Sequence, residues 1–352
     1  MFLSSLNAEA AQDELSFESS PQFKEGKFSN PVPIRDLVSG NYWSLLKRYM
    51  FEKRESPAPI SDIPLHKLDF AQLTALPNDR ISVIRLGHSS IMLKVNGDFW
   101  LLDPVFSERA SPFSFAGPKR FHQLPIDLTE LPDIKGVIIS HNHYDHMDEK
   151  TLKLLSQKVE HFLVPLGNFA QLTKWGIDEF KIQELDWWQS TKIDGVTLTA
   201  TPAQHFSGRG LSDRDKTLWN SWVIKSQGQS VFFSGDTGYF DGFKTIGEMY
   251  GPFDITLMET GAYDAYWPDV HMTPEQTMQA HLDVRGKKLL PIHNGTFDLA
   301  FHDWDDPMES IVALADKFWV DLLTPIMGQP ITLQDEASLE EARDLYWWRE
   351  AK

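Results

Sequence analysis

The chain has 352 residues, 41% of them hydrophobic, which is enough for one large domain or two small ones around a real core. Its formal charge of −17 argues against a nucleic-acid backbone as the main partner and against general adhesion to anionic membranes, since both need a basic surface. There is no cysteine, which excludes disulfides, thiolate metal ligands and a cysteine nucleophile, so any metal must be held by His, Asp or Glu.

Residues 1–20 carry Glu9, Asp13, Glu14 and Glu18 with no basic start and no long apolar stretch, which is wrong for a secretory signal. They read as a flexible lead-in to a cytoplasmic protein. No segment approaches the ~20 apolar residues that span a bilayer, so any membrane contact is expected to be peripheral. Residues 21–78 are rich in proline and read as an extension packed on a core domain of residues 79–352. One helix is expected inside the extension, near 41–53, aromatic on one side and basic on the other. Packing against the main domain is its expected role, and contact with lipid the alternative.

Strand signals become dense from residue 80, with runs at 81–86, 90–95 and 99–103, the last two joined by the turn Asn96-Gly97-Asp98. The apolar run Val137-Ile138-Ile139-Ser140 predicts a buried strand. Beyond it, helices near 148–157, 167–174, 241–250, 273–283 and 307–319 alternate with strands near 162–165, 196–201, 221–226, 230–234, 254–258 and 289–292. Hairpins followed by such alternation fit an α/β fold of two mixed sheets with helices outside, a four-layer αββα sandwich.

The stretch His141-Asn142-His143-Tyr144-Asp145-His146 follows the buried strand directly. A lone HxH is most simply a polar surface loop; HxHxDH at a strand end is a metal site in outline. Alternation puts His141, His143 and Asp145 on a different bearing from His146, so one loop can serve two ions. More ligands are then required at later strand ends, and His205, Asp236 and His293 each follow an apolar run. The glycine beside Asp236 allows a tight backbone turn.

In that order these segments resemble the metallo-β-lactamase fold superfamily. The resemblance implies one metal on His141, His143 and His205, a second on Asp145, His146 and His293, and Asp236 bridging them. Further segments, among them Leu86-Gly87-His88-Ser89-Ser90, Gly117-Pro118-Lys119-Arg120-Phe121, Glu184-Leu185-Asp186-Trp187-Trp188, Gly261-Ala262-Tyr263 and His293-Asn294-Gly295-Thr296-Phe297, are similar to the N-acyl-phosphatidylethanolamine-hydrolysing phospholipase D family and its bacterial relatives. That likeness covers about residues 80–300, and in it His271 sits at the mouth of the site and helps position substrate. Val270, Glu259-Thr260 and Asn294 depart from the family pattern. Glu259 is expected to repel an anionic group if it faces the pocket.

The expected activity is therefore that of a zinc-dependent phosphodiesterase on a small or lipid-like substrate. Two Zn²⁺ ions, with Mn²⁺ or Fe also suited to these donors, share a hydroxide as nucleophile. Asp145 and Asp236 hold it in line and His271 donates a proton. A lactone or carboxylic-ester hydrolase on the same metals is the alternative, and a catalytically silent metal-binding protein a third reading. Antibiotic hydrolysis and tRNA processing are disfavoured; self-association is compatible with all of these. His88 is expected to orient a ligand, touch substrate or sit as a structural histidine, and Asp103 to accept from a metal-bound imidazole. Tyr263 and His302, with Trp304, are expected in the pocket wall, and Lys119 and Arg120 on a solvated turn. The aromatic residues Phe106, Phe113, Phe115, Trp187, Trp188, Tyr239, Tyr263, Tyr266 and Trp267 are expected around one apolar pocket.

Overall fold

The computed structural model describes residues 19–35, 42–210 and 212–352, so most of the lead-in expected over 1–20, up to Glu18, lies outside the described residues. A small hairpin, β1 (Phe23–Lys24) and β2 (Lys27–Phe28), precedes α1 (Tyr42–Phe51) and α2 (Phe70–Ala75). Then come β3 (Ser82–Gly87), β4 (Ser90–Val95), β5 (Asp98–Leu102), β6 (Ile134–Ile138), α3 (Glu149–Leu155), β7 (Val159–Pro165), α4 (Phe169–Lys174) and β8 (Ile182–Leu185). The second half holds β9 (Ser190–Ile193), β10 (Val196–Pro202), β11 (Asn220–Ser226), β12 (Gln229–Phe233), α5 (Gly242–Tyr250), β13 (Ile255–Glu259), α6 (Pro274–Asp283), β14 (Lys288–Ile292), α7 (Asp306–Phe318), β15 (Asp321–Leu322), β16 (Pro330–Thr332), α8 (Glu336–Glu340) and α9 (Trp347–Glu350).

Two seven-stranded sheets result, ordered β16-β3-β4-β5-β6-β7-β8 and β15-β14-β13-β12-β11-β10-β9. Each is antiparallel where hairpins connect its strands and parallel where helices do, as in β6 beside β7 and β13 beside β14. The β4–β5 turn is two residues, Asn96 and Gly97, at φ 55° and 87°, which matches the twist of the strands it joins.

Alternation along the strands sends one set of side chains between the sheets. Val83, Ile91, Leu93 and Trp100 from the first meet Leu198, Trp222, Phe233 and Leu257 from the second, all buried. The opposite faces are covered by helices: Leu152, Leu155 and Leu172 of α3 and α4 pack on one sheet, Phe243, Ile246, Met278 and Ile311 of α5, α6 and α7 on the other. The expected αββα sandwich is thus the observed fold. Among the described residues, no helix is long and apolar enough to cross a membrane. On α1, Trp43 is exposed, while Arg48 turns inward to both carboxylate oxygens of Asp264, each at 2.7 Å.

At one end of the sandwich the sheets are stitched together. Trp222, with no exposed surface, donates from Nε1 to the Ile139 carbonyl at 2.9 Å, and the Asn220 N–H donates to the Ser140 carbonyl at 2.8 Å. Both acceptors stand just before His141. Replacing Trp222 with Phe keeps an aromatic ring in place but removes the donor and part of the buried volume, so urea unfolding should show a loss of about 1–3 kcal/mol, against ~3–5 kcal/mol for Trp222→Ala. Equal stability of Trp222→Phe and wild type would mean this link between the sheets is immaterial.

Candidate metal centre

The loop that opens at His141 is held at both ends. Arg209 Nη1 donates to the carbonyls of Asn142 (2.8 Å) and Met147 (2.7 Å), with its guanidinium 4.0 Å from the centre of the Tyr144 ring. Asp148 then caps α3 through the Lys150 N–H. Four other strand ends converge on this loop and carry His88, His205, Asp236 and His293. Gly235, at φ 56°, is what allows the closest approach: a Cβ there would lie 2.6 Å from the Ser140 Cβ and 3.1 Å from the Asn220 carbonyl oxygen.

Donor atoms of His141, His143, His205 and Asp236 all lie within 4.8 Å of one another, and so do those of His88, Asp145, His146 and His293. In the first group His143 Nδ1 is 2.8 Å from His141 Nε2 and 3.3 Å from His205 Nε2, and Asp236 Oδ2 is 3.8 Å from both of those Nε2 atoms. In the second, Asp145 Oδ2 is 3.1, 3.5 and 3.4 Å from the Nε2 atoms of His88, His146 and His293. Asp236 reaches this group as well, 3.0 Å from His146 Nε2 by one oxygen and 3.0 Å from His293 Nε2 by the other. It therefore stands between the two.

Outer hydrogen bonds fix which nitrogens carry protons. The Val270 carbonyl can only accept, so His205 donates from Nδ1 (2.9 Å); Asp103 likewise accepts from His146 Nδ1 (2.7 Å). Ser140 Oγ spends its hydrogen on Asp103 and so accepts from His141 Nδ1 at 2.9 Å. In a neutral imidazole this leaves the Nε2 lone pairs of His141, His146 and His205 bare and turned inward. His146 Nε2, His293 Nε2 and Asp236 Oδ1 are buried without any aligned hydrogen-bond partner. Such atoms cost roughly 1–3 kcal/mol each if left unpaired, and a cation at the shared focus satisfies them. Ligands ~2.0–2.2 Å from a tetrahedral ion stand roughly 3.3–3.6 Å apart, the spacing these atoms approximate. The donor set fits two divalent ions.

The electrostatics agree. Burial holds His141 and His205 well below the ordinary histidine range and lowers His143 to about 4, so the three imidazoles of the first group are neutral and ready to ligate. For His293 burial opposes charge, but Asp236, Asp145 and Glu259 outweigh it and push the group up to about 10. Burial alone would raise Asp145 and Asp236; the neighbouring imidazoles His146 and His293 hold both well below the usual carboxylate range. Backbone strain gathers here too, with His88, Asp103 and His293 at φ 53°, 39° and 63°.

All seven side chains expected as ligands are brought together. His88 enters the second group itself, its ring 4.0 Å from that of His293, rather than standing behind a ligand. Asp103 lies where expected, under His146. His271 shares a third grouping with Asp236 and His293, and its Nδ1 bonds to Glu259. Glu259 does not face the pocket: it is fully buried, accepts from the Thr237 N–H at 2.6 Å, and burial followed by the charge of Asp236 pushes its carboxyl well above the usual range. Asn294 also turns away from the centre, accepting from the buried Arg85 at 3.0 Å and donating to the Thr260 and Ile292 carbonyls.

Tyr263 and His302 stack on each other with ring centres 4.4 Å apart, and His302 and Trp304 line a small cavity that also touches His293. The Tyr263 hydroxyl, however, donates to Asp306. Arg120 corrects the reading of a solvated turn: its guanidinium is buried, donates to the Val105 carbonyl and lies 5.1 Å from the centre of the Phe297 ring. The aromatic residues do not build one pocket. Phe106 lines a cavity of about 1030 Å³, Phe113 one of about 630 Å³, and Trp187 and Trp188 one of about 360 Å³. Phe115 is 81% exposed.

Two outcomes are expected. An Asn at position 103 accepts on one atom only, so it cannot serve Ser140 N–H, Ser140 Oγ–H and His146 together. Chelator competition should then show metal affinity lowered roughly 10–100-fold in Asp103→Asn, and unchanged affinity would remove Asp103 from the centre. For metal-free protein, the raised His293 gives stability that is complete below its ordinary 6.5 and is lost as pH rises through about 10. The lowered His143 acts oppositely, costing stability as pH falls below 6.5 toward about 4. The thermal midpoint of the metal-free form should peak near neutral pH and decline on both sides, and a midpoint still climbing at pH 9 would contradict this.

Comparison with known proteins agrees with the geometry. A family profile described as "Beta-lactamase superfamily domain" matches residues 100–294. A Mycobacterium tuberculosis protein described only as uncharacterized is 39% identical over 98% of this chain and 91% of its own. N-acyl-phosphatidylethanolamine-hydrolyzing phospholipase D 1 of Caenorhabditis elegans is 36% identical over 66% of this chain and 68% of its own. Among solved structures, Igni18, described as a novel metallo hydrolase of Ignicoccus hospitalis, superposes with a TM-score of 0.56 at 22% identity, covering 72% of this chain and 98% of that one. Fold, donor set and sequence likeness together make this chain a member of the metallo-β-lactamase superfamily of metal-dependent hydrolases, related to the N-acyl-phosphatidylethanolamine-hydrolysing phospholipases D.

Proposed function

We propose that this protein hydrolyses a phosphodiester, one bearing lipid-like groups, with two divalent cations, zinc first and manganese or iron as the alternatives. The carrying observation is the pair of donor groups, one of three imidazoles with Asp236 and one of imidazoles with Asp145, with Asp236 also 3.0 Å from His146 and His293 of the second. In this reading His141, His143 and His205 would hold one ion, Asp145, His146 and His293 the other, with His88 beside the second. Bound divalent ions lower the pKa of a shared water from ~15.7 toward ~7 and draw charge from a phosphoryl or carbonyl oxygen. The chain supplies aim and protons. Asp103, Ser140 and the Val270 carbonyl keep the rings turned inward, so little reorganisation accompanies reaction. His271 is fixed through Nδ1 by Glu259, and its Nε2, which among the described residues makes no hydrogen bond, is the group to carry a proton to the leaving oxygen. The phospholipid substrate named for the C. elegans relative supports the substrate class.

The test is to purify the protein without added metal, count metal per chain, and assay parallel panels of phosphodiesters and lactones. Two ions per chain and phosphodiester turnover lost to chelator and restored by Zn²⁺ are expected. Lactone turnover alone would transfer the assignment to ester chemistry, and full metal with no turnover on either panel would make the protein a silent metal binder. His271→Ala should lower kcat roughly 10²–10⁴-fold with metal content unchanged, and undiminished turnover would dismiss its role as proton donor.

A further inference from the structure

His205 takes little support from its own sheet. It lies past the end of β10, has no exposed surface, and among the described residues its backbone finds no main-chain partner. Both of its backbone groups are instead taken by one side chain far away in sequence. Asn30 Oδ1 accepts from the His205 N–H at 2.9 Å, and Asn30 Nδ2 donates to the His205 carbonyl at 2.6 Å. The same Oδ1 accepts from Trp219 Nε1 at 3.1 Å, which fixes the orientation of the amide.

The neighbouring residues extend this grip. Gln204 repeats the pattern in reverse, its side chain donating to the Val32 carbonyl at 2.6 Å and accepting from the Val32 N–H at 3.4 Å. Arg35 closes a fork on Asp269 and adds its backbone N–H to the same carboxylate at 2.8 Å. Asp269 is followed by Val270, whose carbonyl holds the His205 ring, and by His271. Residues 29–35 thus grip His205 by its backbone directly, and by its ring through the 269–271 segment.

We infer that the arm at 29–35 is part of the metal centre, with Asn30 a positioning residue for the ion held by His141, His143 and His205. The inference rests on the two-ion reading above. Without Asn30 two buried backbone groups lose their partners, and the loop must shift to find water. That shift moves Nε2 of His205 and not the ligands of the other ion, none of which, among the described residues, hydrogen-bonds to the arm. Loss should therefore fall on one seat of the two.

The experiment titrates metal-free, full-length protein with Zn²⁺ against a chromophoric chelator, comparing wild type, Asn30→Ala and Asn30→Asp. Asn30→Asp keeps both accepted bonds and turns a lone pair toward the His205 carbonyl, so it carries the test if the alanine variant does not fold. Either folded variant should bind one ion as wild type does and the other roughly 10–100-fold more weakly. Cobalt substitution should show the same split in visible absorption. Two unchanged affinities, with or without a lower thermal midpoint, would make the arm merely structural and overturn the inference. Equal weakening of both ions would overturn it as well. A wild type that binds no divalent ion would instead sink the reading of the centre itself.

Discussion

Asp103 is the point on which the centre turns. It ends the β5 hairpin strand, has no exposed surface, and accepts from the Ser140 N–H, the Ser140 hydroxyl and His146 Nδ1. A lone buried carboxylate is costly, and three donors offset that cost only if each stays in place. Holding Ser140 fixes the acceptor for His141; holding His146 fixes the second group. One carboxylate therefore sets the aim of a ligand in each group, from a strand of the same sheet that delivers the loop.

The centre is an arrangement that a protein would not keep for stability alone. Its donors are imidazoles crowded against one another and against two carboxylates, with His141, His143 and His205 held neutral by burial and His146 and His293 drawn toward charge by Asp236 and Asp145. Three residues at its edge, His88, Asp103 and His293, take left-handed backbone conformations that side chains ordinarily avoid. Unpaired buried atoms and strained backbone at the same spot have a common account in a cation, which rewards both the convergence and the tautomers. The sandwich can bear this because three apolar clusters, between the sheets and under each helical layer, hold the strands, and a fourth, with Phe28, Trp187, Ala203 and Trp219, packs beside the His205 loop.

Sequence alone carried the ladder of strands and helices that hold the ligands, because those elements are long, apolar on a regular period and end in chemically distinctive residues. Strands β8, β9, β15 and β16 were not legible: each is short, and β9 is largely exposed, so no alternation marks it. Helices α2, α8 and α9 were missed for the same reason, although the Asp69–Gln72 capping box of α2 is a local signal that could have found it. His88 was legible as a site residue and not as a member of the second group, since its approach depends on how the two sheets face each other. The places of Arg120 and Glu259 were illegible because both turn on long-range packing: a charged residue in a glycine- and proline-rich stretch reads as solvated until Phe297 is laid against it. Asn30 is the extreme case, a single amide 175 residues from the ligand it holds.

Where the chain departs from the phospholipase D pattern, the structure moves the question of specificity rather than answering it at the metals. Glu259 lies behind His271, Asn294 binds Arg85 and the backbone, and Val270 acts through its carbonyl. None of the three is a charged group turned toward the converging donors, so these departures leave the charge of the centre as the ligands set it. Discrimination must then come from the segments that rim the sheet ends, the 105–123 stretch, the 261–271 loop and the arm at 29–35. These segments line four separate cavities instead of one aromatic pocket. The arm forms a wall of the 360 Å³ groove with Trp187, Trp188 and Phe240 through Pro31 and Val32, and the same arm holds His205 through Asn30.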